Sequence, residues 1–389
     1  MKKGWQTKTL GEVCAFDKAQ GIHRGLPYVG LEHIESHTAR FIGSSEPQPV
    51  KSSTFRFSDK HVLYGRLRPY LNKALAPDFD GHCSTEIFPL KPRPELSREY
   101  LLFWLLADET CDRINATCTG ARMPRAQMND VLSFEIPVPP LAEQQRIVGL
   151  LDEAFEGLAT AKSNAEKNLQ NARALFESHL QSVFAQRGPG WVEKKLSALY
   201  KIGSSKRVLK SEWKTEGVPF YRGREVTRLA ADGFVDNELF ISEEHFADLS
   251  KEYGVPEAGD IVITAIGTIG NAHVVRRSDR FYFKDASVLW MKRTADVSSE
   301  FIRFWLKSSL FLDQLDRGNG ATVDTLTIQK LQSVELRLPQ LVEQKKIITE
   351  LNALTQETQR LARLYEKKLA ALESLKKSLL HQAFTGELL

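Results

Sequence analysis

Long apolar runs are missing from this 389-residue sequence: no stretch of 18 apolar residues occurs, so no membrane-spanning helix is expected. Cysteine is scarce. Cys14, Cys83, Cys111 and Cys118 all lie in the first half, and none forms a CxxC pair. That argues against a disulfide framework or a zinc site and suits a reducing, cytoplasmic setting. The opening Met1-Lys2-Lys3-Gly4-Trp5-Gln6 has no apolar core behind its lysines and does not read as a signal peptide. An excess of one charge is also missing. The net charge is +4, and basic and acidic residues nearly balance in each segment: 18 against 16 over 1–140, 5 against 6 over 141–187, 22 against 21 over 188–340, 8 against 6 over 341–389. Any nucleic-acid binding must therefore come from local clusters.

Catalytic signatures are equally poor. There is no P-loop and no Asn-Pro-Pro-aromatic or Asp-Pro-Pro-Tyr motif of a methyltransferase; Pro139-Pro140 follows Val138. Glu193-Lys194-Lys195 and Glu212-Trp213-Lys214 fit the Glu-x-Lys half of a nuclease site, but such tripeptides arise by chance and Pro77-Asp78 is far away. His33 and His37 are four apart but Ile34, not Glu, follows His33, so they do not make a His-Glu-x-x-His motif; His82-Cys83 stands alone, and all read as structural or surface residues. Gly267-Thr268-Ile269-Gly270 is a lone glycine pattern with no helix signal after it, which is a weak case for nucleotide binding.

What is present is a repeat. Pro139-Pro140-Leu141-Ala142-Glu143-Gln144-Gln145-Arg146-Ile147 returns as Pro339-Gln340-Leu341-Val342-Glu343-Gln344-Lys345-Lys346-Ile347, an offset of 200 that still holds at Phe184 and Phe384. Neither stretch contains an internal proline, and both are rich in helix formers. Apolar steps of three and four run through Leu151, Ala154, Leu158, Ala161, Ala165, Asn168, Ala172, Leu175 and His179. In the second copy they fall on Leu351, Leu354, Thr358, Leu361, Tyr365, Lys368, Leu372, Leu375 and Leu379. Such a seam turns one face toward a partner helix. The spacing predicts two helices of about 45 residues, each ~65–70 Å long, packed on one another.

The remaining segments, 1–140 and 188–340, read as two mixed α/β units built on one plan. Tyr28 with Gly30 matches Tyr221 with Gly223, Val62-Leu63-Tyr64 matches Ile261-Val262-Ile263, Phe103-Trp104-Leu105 matches Phe304-Trp305-Leu306, and Gly120-Ala121 matches Gly320-Ala321. The offset drifts from 193 to 201 across these units and is fixed at 200 in the helices, as for a fixed connector carrying two divergent recognition units. DNA readout needs cations for phosphate and planar or bidentate groups for base edges. In the first unit the candidates are Arg66, Arg68, Tyr70, Asn72 and Lys73 in one Gly/Pro loop, and Arg122 and Arg125 in another. In the second they are Lys206, Arg207, Arg222, Arg224, Arg228, Thr268, Asn271 and Thr322. The bland alternative is that these clusters are solvated surface.

The paired Pro-x-Leu-x-Glu-Gln helix starts, the Leu63-Tyr64-Gly65-Arg66-Leu67-Arg68-Pro69-Tyr70 stretch and the ending Gln382-Ala383-Phe384-Thr385-Gly386-Glu387-Leu388 resemble the specificity subunits of type I restriction-modification enzymes, over the whole chain and in family order. The resemblance implies an α+β fold: two target recognition domains (1–140 and 188–340) joined by two long helices (141–187 and 341–389) in an antiparallel coiled coil with pseudo-twofold symmetry. It implies that each domain reads half of a bipartite double-stranded DNA target and that the helices set the spacing. It further implies docking of two methyltransferase subunits, then restriction subunits, with S-adenosylmethionine, ATP and magnesium belonging to those partners. Glu143, Gln144, Arg146, Glu343, Gln344 and Lys345 are the candidate partner-binding residues; whether they touch a partner or cap the helix stays open. Pro339-Gln340 departs from Pro139-Pro140, but one proline still marks the junction. The rival reading is a coiled-coil adaptor with two protein-binding α/β domains.

Overall fold

The computed structural model describes residues 4–48, 50–120, 122–186, 190–315 and 325–388. The chain forms two compact units, 1–167 with 365–389, and 168–364. Each long helix contributes one stretch to each unit, because it packs on a different globular body along each.

The two helices span Leu141–Ala185 and Leu341–Thr385, 45 residues each. The preceding residues start them: Pro140 O accepts from Glu143 N and Gln144 N at 2.9 and 3.1 Å, and Gln340 O accepts from Gln344 N at 3.0 Å. The second helix stops at Gly386, whose φ of +80° suits glycine, with the amides of Glu387 and Leu388 both returning to Gln382 O. Within the first unit the helices run antiparallel: Arg146 Nη2 donates to Leu388 O at 3.3 Å, and Lys162 pairs with Glu373 at 2.6 Å. In the second unit Leu180 and Leu351 share one core.

The seam departs from the expected one. Beyond Ala165 the residues Leu169, Phe176 and Leu180 turn inward in place of Asn168, Leu175 and His179, while Ala172 keeps its place. Leu175 and Leu375 are 53% and 48% exposed. A strict heptad holds its face only if the helix underwinds; an ordinary helix drifts by about 20° per heptad, and three heptads shift the face by more than half a residue.

In the first unit a four-stranded antiparallel sheet orders Cys14–Phe16, Ile87–Pro92, Val62–Gly65 and Ala74–Leu75. Beside it lies a smaller sheet of Gln20–Gly21, Thr54–Phe57, Gly81–Cys83 and Tyr28–Val29. The helix Arg98–Leu106 buries Tyr100, Leu101, Phe103 and Trp104 against the first sheet and the long helices. A short helix, Met128–Leu132, precedes the strand Glu135–Val138, which pairs antiparallel with Gln6–Thr9.

The second unit repeats the plan with Tyr200–Gly203, Val288–Arg293, Ile261–Thr264 and Ala272–Val274, a three-stranded sheet of Phe240–Ile241, Val218–Tyr221 and Tyr282–Phe283, and the pair Val192–Lys195 with Glu335–Leu338. Where the first unit has a single turn, Leu31–His33, the second has a ten-residue helix, Gly223–Asp232. Among the described residues no helix is long and apolar enough to cross a membrane.

Candidate nucleic-acid interface

In the first unit the chain leaves Val62–Gly65, makes a loop, and returns through Ala74–Leu75. Gly65 N donates to Lys73 O at 2.8 Å and closes the neck. The loop is clasped to a second one: Arg68 N donates to Pro124 O at 2.8 Å and Ala126 N to Arg66 O at 2.9 Å. Its tip is a short turn, Pro69–Leu71, flanked by two left-handed residues, Arg68 (φ +52°) and Asn72 (φ +41°). Such conformations cost of order 1–3 kcal/mol each and persist only where the surroundings over-determine them. The tip presents Arg68 and Tyr70, the latter 49% exposed, and the neighbouring loop presents Arg122 and Met123. Neither Arg68 nor Arg122 has an ion-pair partner among the described residues.

The other candidates of this loop pair are occupied. Asn72 is fully buried; its Nδ2 donates to Leu106 O at 3.1 Å, so it shapes the loop and cannot reach a base edge. Lys73 Nζ donates to Leu31 O at 2.6 Å. Arg125 grips Glu86, with Nε 3.0 Å from both carboxylate oxygens and Nη2 2.9 Å from one. The Glu86 carboxylate raises the Arg125 pKa. The half-buried guanidinium of Arg66 lies over the Phe88 ring at 5.1 Å, and its Nε has no hydrogen-bond partner among the described residues.

In the second unit the matching loop, 264–271, is cinched around Thr264: its hydroxyl donates to Thr268 O at 2.5 Å and accepts from Asn271 N at 3.1 Å. Gly267 and Gly270 supply the positive φ (+77° and +92°) this tight path requires. Thr268 is exposed, and Asn271 Nδ2 donates to Thr227 Oγ1 at 3.1 Å, which ties the loop to the helix Gly223–Asp232. Arg222 and Arg224 do not project freely. Both bond the carboxylate of Glu225, itself 2% exposed, and Arg224 also reaches Glu238 at 2.6 Å. Burial pushes the Glu225 carboxyl up, but the arginine hydrogen bonds overcome it and hold the pKa at about 2. Arg207 pairs with Asp285 at 2.8 Å, and the Lys206 ammonium lies 5.3 Å over Tyr253. Arg228 is exposed, with no ion-pair partner among the described residues. Phe234, 72% exposed beyond the end of that helix, was not singled out from sequence, although an aromatic next to Gly233 in a polar stretch is a usable signal. Thr322 lies outside the described residues.

At the helix starts, Gln144 and Gln344 are buried clamps and not partner-facing residues. Gln144 Oε1 accepts from Ser97 N at 2.8 Å, while its Nε2 lies 2.8 Å from both Glu95 O and Pro139 O. Gln344 accepts from Ser298 N at 3.0 Å and donates to Pro339 O at 2.8 Å. Glu143 pairs with Arg146, which also reaches Leu388 O, and Glu343 accepts from Trp191 Nε1 at 3.2 Å. Lys345 is exposed and so is Val342, at 81%.

Comparison with known proteins fits this geometry. The family model described as "Type I restriction modification DNA specificity domain" matches residues 2–169 and again 189–370. The chain is similar to the type I restriction enzyme EcoDI specificity subunit of Escherichia coli, 29% identical over 161 residues, which is 41% of this chain and 35% of that one. It is also similar to a putative specificity subunit of Haemophilus influenzae, 25% identical over 59% of this chain and 57% of the relative, so it spans only part of these two relatives. Similarity to the putative type I restriction enzyme MjaX specificity subunit of Methanocaldococcus jannaschii, at 24% identity, extends over 85% of this chain and 76% of the relative. Among solved structures, a chain from a study of complex assembly and conformational transition of the type I R-M system shares the fold with a TM-score of 0.80 at 22% identity, covering 100% of this chain and 99% of that one. The HsdS subunit from Thermoanaerobacter tengcongensis does so with 0.66 at 22% identity, over 100% and 98%. With a match over each half, this chain belongs to the family of the type I restriction modification DNA specificity domain, and carries that domain twice.

Proposed function

We propose that the chain is the sequence-specific DNA-binding subunit of a type I restriction-modification system. Each unit reads one half of a bipartite duplex target, and the two long helices act as spacer and docking platform for two methyltransferase subunits, which restriction subunits then join. The observation that carries this reading is one loop frame used twice with different chemistry. In the first unit the amide of Ala126 clasps Arg66 O; in the second the amide of Leu326 clasps Ala265 O at 2.7 Å. The bridges Leu67–Arg125 and Ile266–Thr325 match as well. On that common frame the first unit offers Arg68, Tyr70 and Arg122, and the second offers Thr268, with the exposed Arg228 on the helix to which the loop is tied. A shared scaffold with divergent tips suits reading two unlike sequences; phosphate contacts position such a protein and the tips specify. The subunit itself is non-catalytic in this reading, and S-adenosylmethionine, ATP and magnesium belong to its partners.

The test is co-expression with the neighbouring methyltransferase gene, followed by genome-wide mapping of methylated bases. A split, asymmetric motif is expected. A continuous palindrome, or no methylation, would overturn the reading. The adaptor alternative predicts no duplex binding that weakens with salt, whereas counterion release makes DNA affinity fall steeply with it.

A further inference from the structure

One anchor of the first unit's loop comes from outside its sheets. Lys376, on the helix Leu341–Thr385, donates from Nζ to His37 O at 2.7 Å. The His37 amide in turn donates to Asn72 O at 3.0 Å. Asn72 is buried, and its own amide donates to Pro69 O at 2.8 Å, closing the turn that follows Arg68. A second grip lies one residue along the helix, where Lys377 pairs with Asp108 at 2.8 Å, two residues after the Leu106 carbonyl that holds the Asn72 side chain.

Backbone strain follows the same path. Five non-glycine residues with positive φ occur among the described residues, and four of them are His37 (+63°), Ala39 (+60°), Arg68 (+52°) and Asn72 (+41°). Strained conformations hold only where neighbouring contacts enforce them, and cluster at ligand clamps. Lys376 is not a solvated surface lysine: its ammonium lies 5.3 Å from the Phe155 ring centre, and burial holds its pKa below the usual lysine range. The charged groups around it are Glu373, Lys162, Asp108 and Glu35.

We propose that Lys376 is a positioning residue for the first unit's DNA loop. It sets the backbone at Arg68–Asn72 through His37 without touching DNA. This rests on the reading that the loop contacts DNA. The device is one-sided. Two hundred residues earlier stands Phe176, which lies against Phe304 at 6.3 Å, and Asn271, the counterpart of Asn72, bonds Thr227 instead. Reading of only one half of the target therefore depends on this helix side chain.

The experiment uses the complex with its methyltransferase subunits and fluorescent duplexes carrying the mapped motif, altered one half at a time. Lys376→Met keeps an unbranched side chain of similar length and removes the donor; Lys376→Arg keeps a donor. Lys376→Met is expected to lose about 3- to 30-fold in discrimination at one half only. Its log-affinity against log-salt slope should be unchanged, and amide exchange should rise over 37–40 and 68–72 alone. Lys376→Arg should restore all three readouts. In the Arg68→Ala background, Lys376→Met should add little. Equal losses at both halves, a salt slope lower by about one, as for a direct phosphate contact, additivity with Arg68→Ala, or unchanged exchange would each overturn the proposal. If Lys376→Met does not fold, Lys376→Arg alone decides: a relaxed half despite a retained donor overturns it, and an unchanged motif with native exchange upholds it. If Arg68→Ala alone leaves binding unchanged, the loop reading itself fails, and that result is distinguishable from the others.

Discussion

Arg68 occupies a position where the backbone asks for glycine, and Arg68→Gly should separate stability from DNA binding with opposite signs. Arg68 has φ +52°, and its counterpart in the second unit, by the offset that matches Val62 to Ile261, is Gly267, with φ +77°. The same left-handed step is made in both loops, without strain in one and with an L side chain in the other. For a residue with a Cβ that conformation costs roughly 1–2 kcal/mol. Glycine removes this cost but gives back about 0.5–1 kcal/mol through the greater freedom of the unfolded chain. The net expectation is that Arg68→Gly stabilises the protein by up to about 1.5 kcal/mol, whereas Arg68→Ala, which keeps the Cβ, gains nothing. Both lose the guanidinium. If Arg68 makes a bidentate base contact, each variant should bind the cognate duplex about 1–3 kcal/mol more weakly. Urea midpoints at unchanged m-value give the stability, and duplex titration at fixed salt gives the affinity. Arg68→Gly that destabilises the fold, or that binds DNA as tightly as the parent, would refute the idea that strain is kept here for the sake of the side chain.

Gln144→Ala should cost about 3 kcal/mol and Gln344→Ala about 2, since they remove three and two buried hydrogen bonds worth ~1 kcal/mol each; equal stability with lost methyltransferase affinity would instead restore a partner-contact role. Gln144→Glu should be worse than Ala at neutral pH, because a carboxylate would face two carbonyl oxygens, and should partly recover in acid. Arg122→Ala should lower the salt slope of DNA binding by about one, whereas Arg125→Ala should leave it unchanged because Glu86 already matches that charge. The Glu225 pKa is lowered from 4.5 to about 2, so the stability it contributes is complete above about pH 4.5 and drains as pH falls toward 2. Glu225→Gln should therefore flatten the acid side of a stability profile; an unchanged profile would mean the arginines are held otherwise. Four residues inserted after Lys167, where the first long helix passes from one unit to the next, should change helix phase; the spacer in the methylated motif should alter, or activity vanish, while the bases read in each half stay the same.

What was legible in the sequence was whatever depends on periodicity and on breakers. Both long helices begin at the proline-marked starts of the gap-free repeat and run the expected 45 residues. The shared plan of the two mixed α/β units was equally readable. The seam failed at Leu175 and Leu375 because apolar spacing cannot tell a 3.5 period from a 3.6 period over three heptads. The ion pairs of the arginine candidates were hidden for another reason. A charge count shows that Arg125, Arg222 and Arg224 are cations, but Glu86 stands 39 residues from Arg125, and only the fold brings them together. Gln144 misled by its polarity: an amide with every partner supplied by backbone is as buried as a leucine. The internal repeat offers a better guide than residue type. Gln144 and Gln344, Ser97 and Ser298, and Trp104 and Trp305 match between copies, and all are consumed by the scaffold. Arg68 against Gly267 does not match, on a backbone that does. In a chain that carries its domain twice, identity between the copies marks what holds the frame, and divergence at a shared backbone position marks what the frame is built to present.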